Sequence, residues 1–394
     1  MSTQQKIKQY GQRWLALACL GSLGWLGLSV PQVPARAQAS QQMCIDNIGF
    51  YHRNQVTVRA NWGREALRKD RIQPAADHLA KALDFARAIK DVESRSLIYE
   101  DFIATNSGST GWLVHEVNRL IELDQTVAVR TVLVPARRAA EELPTGDSTL
   151  KIRMLTTIAN HYTAIGDRAT ALDLLSQARQ LVTHVQGTEI KANILTTLAQ
   201  SYGTAGDSTI ATEVVTDALQ QAEKVEYGDS SRRDQTIAPI AVVYAEAGNI
   251  EQAMTLAQSL EQPYYRENSI GAAALAAARL GQLDRATELV QLLTLEQPLI
   301  RTLTEIGLQL AETGDTDQSQ QYFDQAIKVI QTEGYPGPSF TNAMVNAGFT
   351  ETVLAALSAA PEGRITVDGL LDLAQHHTEA GNSKAAGNVL RQAM

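Results

Sequence analysis

Cysteine is nearly missing from this chain, which has two, Cys19 and Cys44, in 394 residues. Neither a disulfide framework nor a cysteine-rich metal site is therefore what holds it together. Aromatic residues amount to 5%, too few to suggest a ring-lined groove of the kind a polysaccharide-binding module would need. Catalytic signatures are missing as well. No glycine-rich loop runs into Lys-Ser or Lys-Thr, and Gly108-Ser109-Thr110-Gly111 lacks the spacing of a nucleophile turn. His115-Glu116 begins like a zinc-protease motif, but no second histidine follows at helical spacing. His376 and His377 are adjacent, so on a helix they would point apart and ligate one metal awkwardly. The expectation is a protein with no catalytic residues, no metal and no cofactor; an enzyme with an unfamiliar site is the weaker rival.

Basic charge is also in short supply, with 34 Lys and Arg against 43 Asp and Glu, a formal net charge of -9. Four of those basic residues, Lys6, Lys8, Arg13 and Arg36, lie in the first 39 residues, which hold no acidic one. Behind them runs an apolar stretch from Trp14 to Val30, short and glycine-rich for a membrane span, then small-x-small sites at Ala35-Arg36-Ala37 and Ala37-Gln38-Ala39. This pattern predicts a secretory signal over 1–39 cleaved after Ala39, with an uncleaved signal anchor as the alternative. A flexible leader over 40–58 is expected next, and the protein is expected outside the cytoplasm, in a periplasmic or extracellular space. Losing those four basic residues leaves 30 against 43, a net charge of -13. So acidic a surface opposes nucleic acid and anionic membranes. After residue 39 no apolar run is long enough to cross a bilayer.

Glycine, by contrast, is placed with regularity. Gly166, Gly206, Gly248, Gly281 and Gly314 follow one another at 40, 42, 33 and 33 residues, and the 67 residues to Gly381 are divided into 34 and 33 by Gly348. Apolar residues recur around each at helical spacing. Before Gly166 stand Leu155, Ile158, Ala159 and Tyr162, and after it Ala171, Leu175 and Ala178; Gly206 repeats these as Leu195, Leu198, Ala199, Tyr202, Ala211, Val215 and Ala218. A glycine ends the first helix because it enters the left-handed region at no steric cost, and the Asp or Asn that usually follows can cap the second. The product is an array of antiparallel helix pairs. Two glycine-free units extend it toward the N-terminus, with Asp70 and Asp124 in the glycine's place; Pro135 is expected to kink or shorten the second helix of the latter. The array is expected over 59–394, weak across 59–150 and clear from 151.

The order Ile158-Ala159, Tyr162, Gly166, Ala171, Leu175, Ala178 resembles the tetratricopeptide repeat. Departures are the 40- and 42-residue spacings and the lack of the family's tryptophan at Leu155, Leu195 and Ile237. The longer spacings suggest extended linkers or helices near Thr183–Lys191 and Tyr227–Asp234. The resemblance implies an all-α fold, a right-handed α-solenoid, whose first helices line a concave groove for a protein or extended peptide. Carried onto this chain, the groove holds Arg153, Thr156, Asn160 and Thr163, then Asn193, Thr196 and Gln200, then Gln235, Val242, Asn268, Leu275, Arg301 and Leu308. A polar first half and an apolar second half are expected. The family's carboxylate clamp is not matched, since Thr156 and Thr197 stand where Lys and Asn would be needed. The expected function is a non-catalytic exported scaffold or assembly factor, with a cell-wall or polysaccharide-binding module as the alternative.

Overall fold

Seven sharp turns organise the computed structural model, which describes residues 35–103, 111–144, 146, 148–333, 344–345, 349–359, 364–379 and 383–393. At each, one residue has positive φ: Gly166 (76°), Gly206 (83°), Gly248 (86°), Gly281 (73°) and Gly314 (87°), and also Asp70 (51°) and Asp124 (55°). Asp is among the few residues that tolerate the left-handed region, because its short side chain bonds locally. The same two hydrogen bonds close every turn. In the Gly166 turn, Gly166 N–H donates to Thr163 O (2.9 Å) and Asp167 N–H to Tyr162 O (2.8 Å); in the Asp70 turn, Asp70 N–H donates to Leu67 O (3.1 Å) and Arg71 N–H to Ala66 O (2.9 Å). These are Schellman caps, and they satisfy carbonyls that a helix end would otherwise leave orphaned. Gly348 and Gly381 lie outside the described residues.

The described residues form helices α1 (Ala35–Arg68), α2 (Ile72–Arg87), α3 (Val92–Ile103), α4 (Trp112–Glu122), α5 (Thr126–Glu141), α6 (Ser148–Ala164), α7 (Arg168–Leu181), α8 (Thr188–Thr204) and α9 (Ser208–Ala222). They continue as α10 (Ser230–Glu246), α11 (Ile250–Gln258), α12 (Pro263–Arg279), α13 (Leu283–Val290), α14 (Glu296–Glu312), α15 (Thr316–Glu333), α16 (Thr350–Ala359), α17 (Arg364–Glu379) and α18 (Ser383–Ala393). All of the described structure is helix, turn or loop, without a strand among the described residues. Two compact units divide the chain, one up to Ala178 and one from Arg179.

In the first unit α1 packs on α2, α2 on α5 and α5 on α6, while α3 packs against α4 and α6. Residues 40–58, expected as a flexible leader, are instead part of α1. Val56, Ala60 and Leu67 of that helix are buried, and Phe85 of α2 holds Tyr51 edge-on with centroids 6.1 Å apart. Apolar contact with α2 is what makes this segment helical. Pro135 also departs from expectation: α5 runs its 16 residues through it. Pro135, Leu133 and Ala136 are all buried, so packing offsets the single backbone bond that the proline removes. Residues 1–34, and with them most of the expected signal, lie outside the described residues.

In the second unit each first helix packs on the next first helix, α8 on α10, α10 on α12 and α12 on α14, and each second helix packs on the following first helix. The uneven period has a simple origin. The first helices α6, α8, α10, α12 and α14 are each 17 residues long. Second helices vary, with 14 residues in α7 and 15 in α9 but only 9 in α11 and 8 in α13. The first helix is constant while the second helix lengthens or shortens, and the period changes with it.

The tight units carry a device that holds the next helix in place. The Asp234 carboxylate is wholly buried and accepts the N–H of Glu261 (2.9 Å) and Gln262 (2.7 Å). One unit on, at the same offset from its turn, Glu267 accepts the N–H of Thr294 (2.8 Å) and Leu295 (2.7 Å) and the Thr294 hydroxyl (2.6 Å). In each case the donors immediately precede the next first helix. Burial would raise the Glu267 pKa, but these bonds to the charged form outweigh it and the pKa is lowered.

Caps after the turns are mixed. Asp167, Asp207 and Asp315 each accept a backbone N–H three residues on, from Thr170 (3.3 Å), Ile210 (3.1 Å) and Gln318 (3.2 Å). Asn249, expected to cap likewise, donates its amide to Thr212 Oγ1 (3.0 Å) and so braces the preceding second helix.

Candidate functional site

Offsets from the turn residue separate exposed positions from buried ones on each 17-residue helix. Position −10 is occupied by Thr156, Thr196 and Thr304, and all three are buried. Each hydroxyl donates back to the carbonyl four residues earlier, at 2.8, 2.8 and 2.7 Å. Thr156 and Thr196, expected in the groove, therefore belong to the packed interior. Their internal bonds let a polar residue sit there without an unsatisfied group.

Positions −13, −9, −6 and −2 fall on one stripe, since steps of four, three and four residues return to the same helix face. In the second unit this stripe lines a cleft of about 520 Å³ over α10, α12 and α14. Asn268, Leu275, Arg301, Leu308 and Val242, singled out from sequence, all line it. Gln200 lines a smaller neighbouring cleft of about 170 Å³, which shares Glu246 and Arg279 with the first. Asn193 and Gln235 are exposed at position −13 on α8 and α10, outside these two clefts. Arg153 and Asn160 belong to the first unit, where Arg153 is half-buried and Asn160 exposed.

The expectation of an apolar second half needs correction. Val242, Ala272, Leu275 and Leu308 do form an apolar floor, but Glu246, Arg279, Glu305 and Glu312 stand around it. All four charged residues occupy positions −9 and −2 of the stripe, half a step from the positions read in the sequence. Reading −13 and −6 alone finds Asn268, Arg301 and the apolar Val242, Leu275 and Leu308, and misses Glu246, Arg279, Glu305 and Glu312.

The walls form a chain of polar contacts across the helices. Arg301 Nη2 donates to Asn268 Oδ1 (2.6 Å), and its Nε is 3.9 Å from Glu305 Oε1. Arg279 Nε donates to Gln309 Oε1 (3.3 Å). Partial desolvation raises the pKa of Glu246, which stays exposed at the cleft wall, against the opposing pull of Arg279 and a hydrogen bond from Gln200. Desolvation likewise raises Glu305, against Arg301 and Arg279.

The described turns, constant first helices and first-on-first stacking settle the type of unit. The repeat is tetratricopeptide-like. No protein-family model matches this tetratricopeptide-like chain, and no curated protein matches it in sequence. Among solved structures it is similar to the quorum sensor NprR from B. thuringiensis, at 13% identity over 86% of this chain and 98% of that one, with a TM-score of 0.34. It is also similar to aspartyl phosphate phosphatase F from Bacillus subtilis (13% identity, 93% and 95% coverage, TM-score 0.34). A third is a signal transduction ATPase with a tetratricopeptide repeat sensor from Pyrococcus horikoshii (12% identity, 82% and 52% coverage, TM-score 0.35). Likeness at this level carries nothing about ligand or activity. Among the described residues no helix is long and apolar enough to cross a membrane, and no three His, Cys, Asp or Glu are grouped to hold a metal.

Proposed function

We propose that this chain is a non-catalytic scaffold or assembly factor that captures a protein or an extended peptide on the concave stripe of its second unit, working outside the cytoplasm. The observation that carries the reading is the cleft over α10, α12 and α14, where an apolar floor is ringed by hydrogen-bonding and charged groups at consecutive repeat positions. Such a surface suits a partner that spans several repeats, with apolar anchors on the floor and a polar rim that fixes register. No aromatic ring is among the residues that line either cleft, which favours a peptide over a polysaccharide. The basic, then apolar, N-terminal sequence supports export with a mature chain beginning at Ser40.

Substituting Gln200, Leu275 and Leu308 together tests the reading. Crosslinked pull-down of the exported protein should recover a stoichiometric protein partner with the native chain and not with the variant, whose helical content stays unchanged. Equal recovery by both chains would remove the concave stripe from the account, and recovery of glycan alone would replace it.

A further inference from the structure

The charge of the cleft narrows what it takes. Its walls carry three carboxylates, Glu246, Glu305 and Glu312, against two guanidiniums, Arg279 and Arg301. Both guanidiniums also bond neutral acceptors, Asn268 and Gln309, at 2.6 and 3.3 Å, and Arg301 Nε stands 3.9 Å from Glu305 Oε1. The excess of negative charge therefore stands beside an apolar floor, in a concavity where field lines are focused. A carboxylate in such a place is costly to desolvate further unless a cation comes with whatever displaces its water. A purely apolar or acidic ligand would leave the one excess carboxylate of the cleft without a compensating cation.

We propose that this cleft is selective for an extended peptide that presents apolar side chains together with lysine or arginine, the apolar groups seated on Val242, Leu275 and Leu308 and the cation received by Glu246 and Glu305. This rests on the protein-binding reading of the same face and specifies its ligand. Three first helices about 9 Å apart span about 18 Å, the reach of about six extended residues. Arg279 lines the same cleft and favours the charged form of both carboxylates. Protonating Glu246 and Glu305 removes the cation's partner, and because partial desolvation raises both pKa values, affinity falls at a higher pH than ordinary carboxylates would dictate.

The test is fluorescence anisotropy on the full chain with three labelled eight-residue probes: alternating Leu and Lys, alternating Leu and Glu, and alternating Ser and Lys. The Leu/Lys probe is expected to bind at least tenfold tighter than either of the others. The double variant E246Q/E305Q should reduce that affinity about tenfold with its melting temperature retained, while D284N/D324N, which removes as much charge from second helices, should leave it unchanged. Equal binding of the Leu/Glu probe overturns the charge assignment, and equal binding of the Ser/Lys probe, or an equal loss in D284N/D324N, reduces it to general attraction by an acidic surface. Absence of binding by all three probes also overturns it. In that case crosslinked recovery of a protein partner through the stripe would still sustain the scaffold reading, so the two claims fail separately.

Discussion

Gly307 shows how finely a single position is set. A Cβ at Gly307 would collide with the Phe323 ring, and one at Gly63 would lie 2.8 Å from Leu79 Cδ2. The two pairs occupy the same repeat positions, which Ala159 with Leu175 and Ala199 with Val215 fill elsewhere. At Gly307 the bulk of the Phe323 ring leaves no room for a Cβ. Gly307→Ala is expected to destabilise the chain by about 1–3 kcal/mol, and adding Phe323→Leu should recover most of the loss in a thermal-melt double-mutant cycle. His161 is a second case. It is buried, its Nε2 has no hydrogen-bond partner, and desolvation lowers its pKa to about 4. The unfolded chain then takes up the proton first as pH falls from 6.5, so stability is full above 6.5 and is lost progressively down to about 4. The loss is on the order of 3 kcal/mol, and His161→Leu should flatten that part of the pH–melting curve. Neither residue is marked as special by the sequence, because nothing in a linear pattern reports that Phe323 faces Gly307 or that His161 is buried without a partner.

At the scale of elements, the turns were the most legible part of the chain. Offsets alone placed Asp70 and Asp124 where the backbone proves left-handed, because the helical periodicity on both sides leaves one position for the reversal. Gly206→Ala should cost about 1–2 kcal/mol, the strain of a Cβ in that region, whereas Asp124→Gly should leave the melting temperature level or higher. The linkers were less legible. Asp234 and Glu267 hold them through backbone N–H groups 27 residues away, and a bond to a backbone leaves no residue-type signature. A neutral amide in place of such a carboxylate gives up charge assistance and turns one acceptor oxygen into a donor, a loss of about 1–3 kcal/mol, so Glu267→Gln and Asp234→Asn should each lower stability, while Arg285→Gln, at an exposed ion pair with Glu251, should change little. Since the Glu267 pKa is lowered in the fold, its contribution is present above the ordinary value of 4.5 and disappears as pH falls through the folded value. Urea melts of native and Glu267→Gln chains should therefore converge in acid.

At the scale of the whole molecule, the proposed function rests on first helices that stay 17 residues long while their partners range from 8 to 18. In the second unit that constancy repeats positions −13, −9, −6 and −2 from helix to helix over the cleft. From sequence, positions −13 and −6 are named on every 17-residue first helix, and on α10, α12 and α14 the −6 residues line the cleft. Positions −9 and −2, with most of its charge, are not named, and Thr156 and Thr196, which are, prove buried. The most direct test is site-specific photo-crosslinking in the living host, with a benzophenone side chain placed in turn at Leu275, Leu308 and, on a second helix, Asp324. Adducts to one recurring protein from positions 275 and 308, and none from 324, are the predicted result. No adduct from the cleft positions, or the same adducts from all three, would contradict it.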